Sequence, residues 1–296
     1  MLANETCSWS YGCCAIHTIT ASPTHPLAVP VPDTDLPRPY ESGWPRATRA
    51  AAQAFWDWHD ALRDAAPTSE RVLDADCKAA DAGERLRLVP DAVSEAAYEA
   101  CREHGLKRRY LAAQVHGLKH HQPPVRYETG ADLKRFLDRW VVPHGRLLAG
   151  LVPGAGSLKR ATDHLSRGFF YTAMVTHLPQ HLADDRLYIP LSDIEQVGTS
   201  VRELRRASVT EPVRKLLWKQ SIRARDALAH GHPALTRLSW RPKWRLKFWW
   251  LGALEVLSEV ERRDFDVWSE PIALDRWHTA QVYLQTYLGR ATGRMS

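Results

Sequence analysis

The chain has 296 residues, enough for one large domain or two ordinary ones. Its 44% apolar and 25% charged residues can fill a sizeable core, which excludes a disordered, collagen-like or disulfide-stapled chain. Forty Lys and Arg against thirty-four Asp and Glu leave a net charge of +6. The basic residues are scattered through helical patterns, which describes a solvated face or a site for an anionic small molecule; no nucleic-acid partner is expected. No run of 18 apolar residues occurs, so no transmembrane segment is expected. The first Lys or Arg is Arg38, so the N-terminus does not read as a signal peptide. Five cysteines, an odd number with no C-x-x-C spacing, point to reduced thiols and a cytoplasmic setting. Twelve tryptophans stand out and suggest that something large, flat or apolar is enclosed.

Residues 1–45 are rich in Pro, Thr and Ser, and the run HPLAVPVPDTDLPRP (25–39) denies helix, so an extended segment over the domain is expected. From 46 to 296 the reading is helical almost throughout. RATRAAAQAFWDWHDALRDAA (46–66) is Ala-rich and periodic and ends at Pro67. The segment 91–105 ends on Gly105, a left-handed cap. Residues 108–121 form the next helix, and 130–153 carries Pro143 inside its pattern and should kink there. Further helices are expected at 157–178, 208–231, 243–264 and 275–291. No strand-like alternation, internal repeat or long linker interrupts them. The expected fold class is all-α, a single-domain bundle of eight to ten helices.

Asp60 and Asp64 lie four residues apart on one helix face, with Asp57 one turn earlier. Three like charges on one stripe repel, and a cation would relieve them. Oxygen donors on a rigid element suit Mg²⁺, which takes one or two carboxylates plus phosphate oxygens of a substrate. The same spacing also describes a solvated acidic face beside Arg63. Spacing alone leaves both readings open.

A second stretch, RLYIP (186–190) followed by a D-x-x-x-x-G segment, resembles the GRxYLP…DL…G segment of the squalene/phytoene synthase family. SIRARDALAHG (221–231) is similar to that family's RARxLxxxG helix. LGALEVLSEVERRDFDVW (251–268) and QVHGLKHHQPPVRYETGADLKRF (114–136) resemble two further segments in the right order. With these fixed, Asp60 and Asp64 fall on the family's first aspartate-rich motif, and Arg46 on an arginine shortly before it. The resemblance covers roughly residues 45–290. It implies an isoprenoid-synthase-type helical bundle around a central apolar cavity, and Mg²⁺-dependent ionisation of an allylic diphosphate between two D-x-x-x-D motifs. It also places Arg46, Arg63, Arg186, Tyr188, Trp56, Phe170 and Tyr171 as substrate-binding residues, with Asp60 and Asp64 at the metal; Asp57, which the helix spacing adds to that metal set, stands where the family has an Arg.

The departures from that pattern have a direction. Where the family carries its second aspartate pair, this chain has His177 and His181. Phe170, Ala173 and Thr176 replace the family's Gln, Asn and Arg just before it, His121 replaces another Asp, and Glu270 stands for a C-terminal Arg. Imidazole is a poor ligand for Mg²⁺, so this half should not gather a metal cluster. Zinc on His177 and His181, structural histidines, and a general base all fit the pair, and Pro179 between them should break the helix. One metal–diphosphate half implies one ionising diphosphate and a second substrate without one. The pattern resembles the squalene-synthase-like aromatic prenyltransferases, which implies transfer of a short prenyl group, dimethylallyl favoured, to an electron-rich aromatic acceptor such as a carbazole. Deprotonation would then fall to His177, His181, Asp184 or Asp185. A head-to-head synthase of the squalene, hydroxysqualene or phytoene type and a non-catalytic family member are the alternatives.

Overall fold

The computed structural model describes residues 44–65, 68–154, 158–237, 240–274 and 276–288. The extended segment expected over residues 1–45 lies outside them except for its last two residues. In chain order the helices are α1 (Arg49–Arg63), α2 (Glu70–Ala82), α3 (Asp91–Glu103), α4 (Arg109–Leu118), α5 (Gly130–Leu137), α6 (Val141–Gly150), α7 (Lys159–Thr176) and α8 (Leu178–Ala183). They continue with α9 (Leu191–Gln196), α10 (Val201–Arg205), α11 (Glu211–Thr236), α12 (Trp240–Arg262) and α13 (Arg276–Leu288). Among the described residues the only β feature is one isolated bridge, so the all-α expectation holds.

The helix count exceeds eight to ten because the segment expected over 130–153 is two helices and because α2, α8, α9 and α10 lie in stretches not expected to be helical. Pro143 does not kink one long helix. The chain leaves helical geometry at 138–140 and restarts at Val141, which puts Pro143 in the first turn of α6, where a missing N–H costs nothing. Pro179 occupies the first turn of α8 in the same way, and His177 is the hinge between α7 and α8. Gly105, with φ of 63°, supplies the left-handed residue after α3.

The centre of the bundle is α7 packed along α11. From Leu165 to Thr176, α7 is buried nearly all round despite three Ser and Thr residues and Arg167. Its hydroxyls satisfy themselves on the preceding turn: Ser166 donates to the Thr162 carbonyl at 3.0 Å, Thr172 to Gly168 at 2.9 Å, and Thr176 to Thr172 at 3.1 Å. Glycines let the two backbones meet. A Cβ on Gly231 would lie 2.8 Å from the Leu165 Cα, and one on Gly168 would lie 2.9 Å from the Leu228 backbone nitrogen. α6 packs on α7, α1 and α4 pack on α6, and α3 packs on α1, with Phe55, Trp58, Leu62, Leu111, Trp140 and Leu147 fully buried.

One short connection sets the site. Residues 125–128 run beside 185–192: Val125 N–H donates to the Asp185 carbonyl, Leu187 N–H to the Val125 carbonyl, and Leu191 N–H to the Tyr127 carbonyl. Arg126 and Arg205 both pair with Asp185, whose φ of 55° is left-handed. This strap fixes Arg186 and Tyr188 against the interior.

Candidate functional site

On α1 the aspartates and the arginine between them form one charged group. Arg63 pairs with Asp60 at 3.2 Å and with Asp64 at 2.9 Å, so one guanidinium bridges both carboxylates. Asp60 is turned toward the protein, its side chain 17% exposed, while Asp64 is 65% exposed. Asp57 is exposed and accepts a hydrogen bond from Gln53 at 2.7 Å, on the same helix. Within α1, Arg63 thus offsets the charges of Asp60 and Asp64. Arg46 is exposed, in the turn before α1. Among the described residues no three His, Cys, Asp or Glu side chains converge into a metal-binding group, so neither a zinc site at His177 and His181 nor an Asp57–Asp60–Asp64 triad is formed by protein ligands alone.

The inward face of α1 begins a row of rings that crosses the molecule. Trp56 meets His144 edge-on with centroids 4.5 Å apart, His144 lies 4.5 Å from His59, and His59 lies 4.7 Å from Trp140. Trp140 stacks on His121 at 4.7 Å, and Nδ1 of His121 lies 3.1 Å from the Tyr188 hydroxyl. Tyr188 in turn meets His181 edge-on at 4.9 Å, and His181 lies 6.2 Å from His177. Phe170 packs edge-on against Tyr188 at 5.1 Å and Tyr171 continues from it. Trp56, Phe170, Tyr171 and Tyr188 are therefore linked along one interior row of rings. His59, His144, Trp140 and Phe136 join it without having been singled out; the i, i+4 spacing of Trp140 and His144 was their visible signal. A pocket of about 500 Å³ shares Phe136 and Tyr127 with this row, but includes none of Asp60, Asp64, His177 and His181.

Electrostatics tie the two ends together. Burial holds the His121 imidazole well below its usual basicity, and the Arg186 and Arg63 charges add to that effect. Arg63 of α1 and Arg186 of the strap thus both act on the same buried ring. Burial, then His177 and Arg186, bring the His181 pKa down to about 3. His177 has its tautomer set by its neighbours. The Thr176 hydroxyl donates to Thr172, so Nδ1–H of His177 is the donor to the Thr176 oxygen at 3.1 Å and the Ala173 carbonyl at 3.3 Å, leaving Nε2 with the lone pair.

The loop carboxylates behave differently. Asp184 is exposed. Hydrogen bonding from Arg126 holds the Asp185 carboxyl below the usual range, reinforced by Arg205, so Asp185 is an anchor of the strap and a poor proton acceptor.

Residues 44–278 match the squalene/phytoene synthase family. The chain belongs to the squalene/phytoene synthase family. A phytoene synthase of Thermus thermophilus is 28% identical over 115 residues, which are 39% of this chain and 40% of that relative, so the chain matches less than half of its length. Among solved structures, squalene synthase HpnC from Alicyclobacillus acidocaldarius superposes with a TM-score of 0.67 at 21% identity, covering 76% of this chain and 88% of that one. A dehydrosqualene synthase in complex with a ligand gives a TM-score of 0.72 at 13% identity, covering 84% of this chain and 90% of that one. These likenesses establish the shared all-α fold.

Two neutral histidines inside this family fold have a measurable consequence. Above pH 6.5 His121 and His181 are neutral in the folded and unfolded chain alike and contribute no pH dependence. Below it the unfolded chain binds protons that the folded chain refuses, down to about pH 3 for His181. Each histidine should therefore cost about 1.4 kcal/mol of stability per pH unit through that window. Chemical denaturation between pH 7 and 4 should show the loss, and His181→Gln should flatten it. An unchanged pH slope in that variant would remove His181 from the account.

Proposed function

We propose that the protein transfers a short allylic prenyl group, dimethylallyl favoured, from its diphosphate to an electron-rich aromatic acceptor such as a carbazole. The observation that carries this reading is the asymmetry of the ring row: carboxylates and Arg63 at its α1 end, two imidazoles and Arg186 at its α8 end. Family membership supports prenyl diphosphate chemistry. A family member with carboxylates on one side only suits one ionising diphosphate.

The residues on α1 fit a divalent cation of the Mg²⁺ type. Asp60 and Asp64 offer hard oxygen donors on one face, and phosphate oxygens with water would complete the shell once Arg63 turns to the phosphate. When bound, Mg²⁺ would neutralise charge on the departing diphosphate. Arg63 and Arg186 donate to phosphate oxygens and hold the leaving group, a stabilisation that is usually the largest catalytic term. The faces of Trp56, Phe170, Tyr171 and Tyr188 stabilise the allylic cation and stack on a flat acceptor while excluding water. Attack by the ring carbon forms the new C–C bond as the allylic C–O bond breaks. The resulting ring proton is strongly acidic, so even a weakly basic imidazole, His181 or His177, is sufficient to remove it.

Pyrophosphate release measured with several prenyl diphosphates, with and without a carbazole or indole, tests the assignment. Release that rises severalfold with the aromatic and yields prenylated product is expected. Conversion of farnesyl diphosphate alone into a head-to-head product would overturn it in favour of the synthase alternative. Placing aspartates at both positions, His177→Asp with His181→Asp, should still give no head-to-head product, because Phe170, Ala173 and Thr176 remain without phosphate-binding groups. Product chromatography of that double variant checks it, and squalene- or phytoene-type product would defeat the single-diphosphate reading.

A further inference from the structure

Helix α13 buries Thr279, Val282 and Thr286, whereas Trp277 is 77% exposed, Leu284 57% and Tyr283 42%. Trp277, Ala280, Gln281 and Leu284 follow the i, i+3, i+4, i+7 spacing of one outward stripe, and residues 277–288 contain no Asp, Glu, Lys or Arg. A helix bordering water normally places charge on that stripe. Here the apolar rings face out and the hydroxyls face in, which marks the outer face as one meant to be covered.

The neighbouring helix says by what. The first eleven residues of α12, WRPKWRLKFWW (240–250), contain four Lys and Arg and five Trp and Phe-type rings with no acidic residue before Glu255. α12 packs on α13 along the exposed stripe's edge: Lys247 Nζ donates to the Gln285 carbonyl at 3.4 Å, and the Phe248 ring meets Tyr283 edge-on at 6.2 Å. Lys247 also lies over the Trp244 face, 5.7 Å from its centroid. Lys243 sits one turn before Lys247, and burial together with the Lys243 charge lowers the Lys247 pKa. A basic rim beside exposed Trp, Tyr and Leu is the composition of a membrane–water interface element. A two-fold pairing of this face with a second copy would instead set like charges against one another. Among the described residues no helix is long and apolar enough to cross a membrane, so the element would lie on one.

We propose that the α12–α13 corner docks on an anionic bilayer surface, with Trp277, Tyr283 and Leu284 entering the headgroup–acyl boundary and Lys243 and Lys247 meeting the headgroups. This reading is independent of which acceptor the site takes. The test is flotation of the full-length protein with phosphatidylcholine vesicles, with and without phosphatidylglycerol. Binding to the anionic vesicles that salt reverses is expected. The Lys243→Gln/Lys247→Gln variant should lose about 30-fold in partitioning, at roughly fivefold per lysine. Trp277→Ser/Leu284→Ser should lose more than about tenfold with an unchanged melting temperature, and Leu284→Gln alone provides the milder check if the double variant is unstable. Failure of the full chain to float at low salt, or variants that float like the wild type, would overturn the proposal. So would a dimer in sedimentation that Trp277→Ser/Leu284→Ser dissolves without any vesicle binding.

Discussion

Asp60→Asn and Asp64→Asn should each slow pyrophosphate release from an allylic diphosphate by about 10²–10³-fold. The helical circular dichroism and melting temperature should stay near those of the wild type. The exchange is nearly isosteric and neither residue belongs to the core: Asp64 is on the surface and Asp60 is only partly enclosed. What the change removes is one of two negative charges that Arg63 now bridges. In the asparagine variants Arg63 keeps one carboxylate at most, and the α1 end becomes more positive. Diphosphate without added Mg²⁺ should therefore bind at least as well as before, while Mg²⁺-dependent turnover falls. That split separates loss of the cation site from simple damage. Wild-type turnover in both variants would end the assignment of α1 as the ionising half.

The second large effect belongs to the imidazoles. His177→Ala and His181→Ala address the step after the new bond has formed, and the one that carries the base should slow aromatic prenylation by about 10²–10⁴-fold. Diphosphate binding should change far less, because the guanidinium of Arg186 remains. The diagnostic signal is partition of product: prenyl alcohol, from capture of the cation by water, should rise as prenylated aromatic falls. His181 meets Tyr188 directly, whereas His177 has Nδ1 engaged on its own helix end. If both variants keep full rate while Asp184→Asn loses it, the base is the exposed loop carboxylate. If none of the three matters, the departing diphosphate takes the proton and the histidines serve packing.

The helices were legible wherever an apolar stripe was long and broken by a single strong signal. α1, α3 and α7 appear close to where periodicity, Gly105 and Pro179 place them. α2 was hidden because its buried positions are only Leu73, Asp76, Cys77 and Ala80, too weak a stripe to stand out in a polar segment. Pro143 was read correctly as a disruption but not as a restart, since periodicity cannot tell a bend from two helices sharing a phase. At the site, the pairing of aspartates on one helix face was visible, while the bridging role of Arg63 was not. Spacing reports which side chains share a face; it does not report which of them neutralise one another. The inward ring row required the fold, because Gln114 and His59, joined at 2.9 Å, are 55 residues apart.

The glycine contacts between α7 and α11 bear on how the site could be remodelled. With Gly168 and Gly231 each too close to the opposite helix to accept even a methyl group, the two backbones are locked as a single beam. Phe170, Tyr171, Ala173 and Thr176 ride on that beam. A change of acceptor size cannot be accommodated by sliding α7 outward, so selectivity must be rewritten one side chain at a time. Libraries aimed at new acceptors should vary those four positions and leave both glycines untouched.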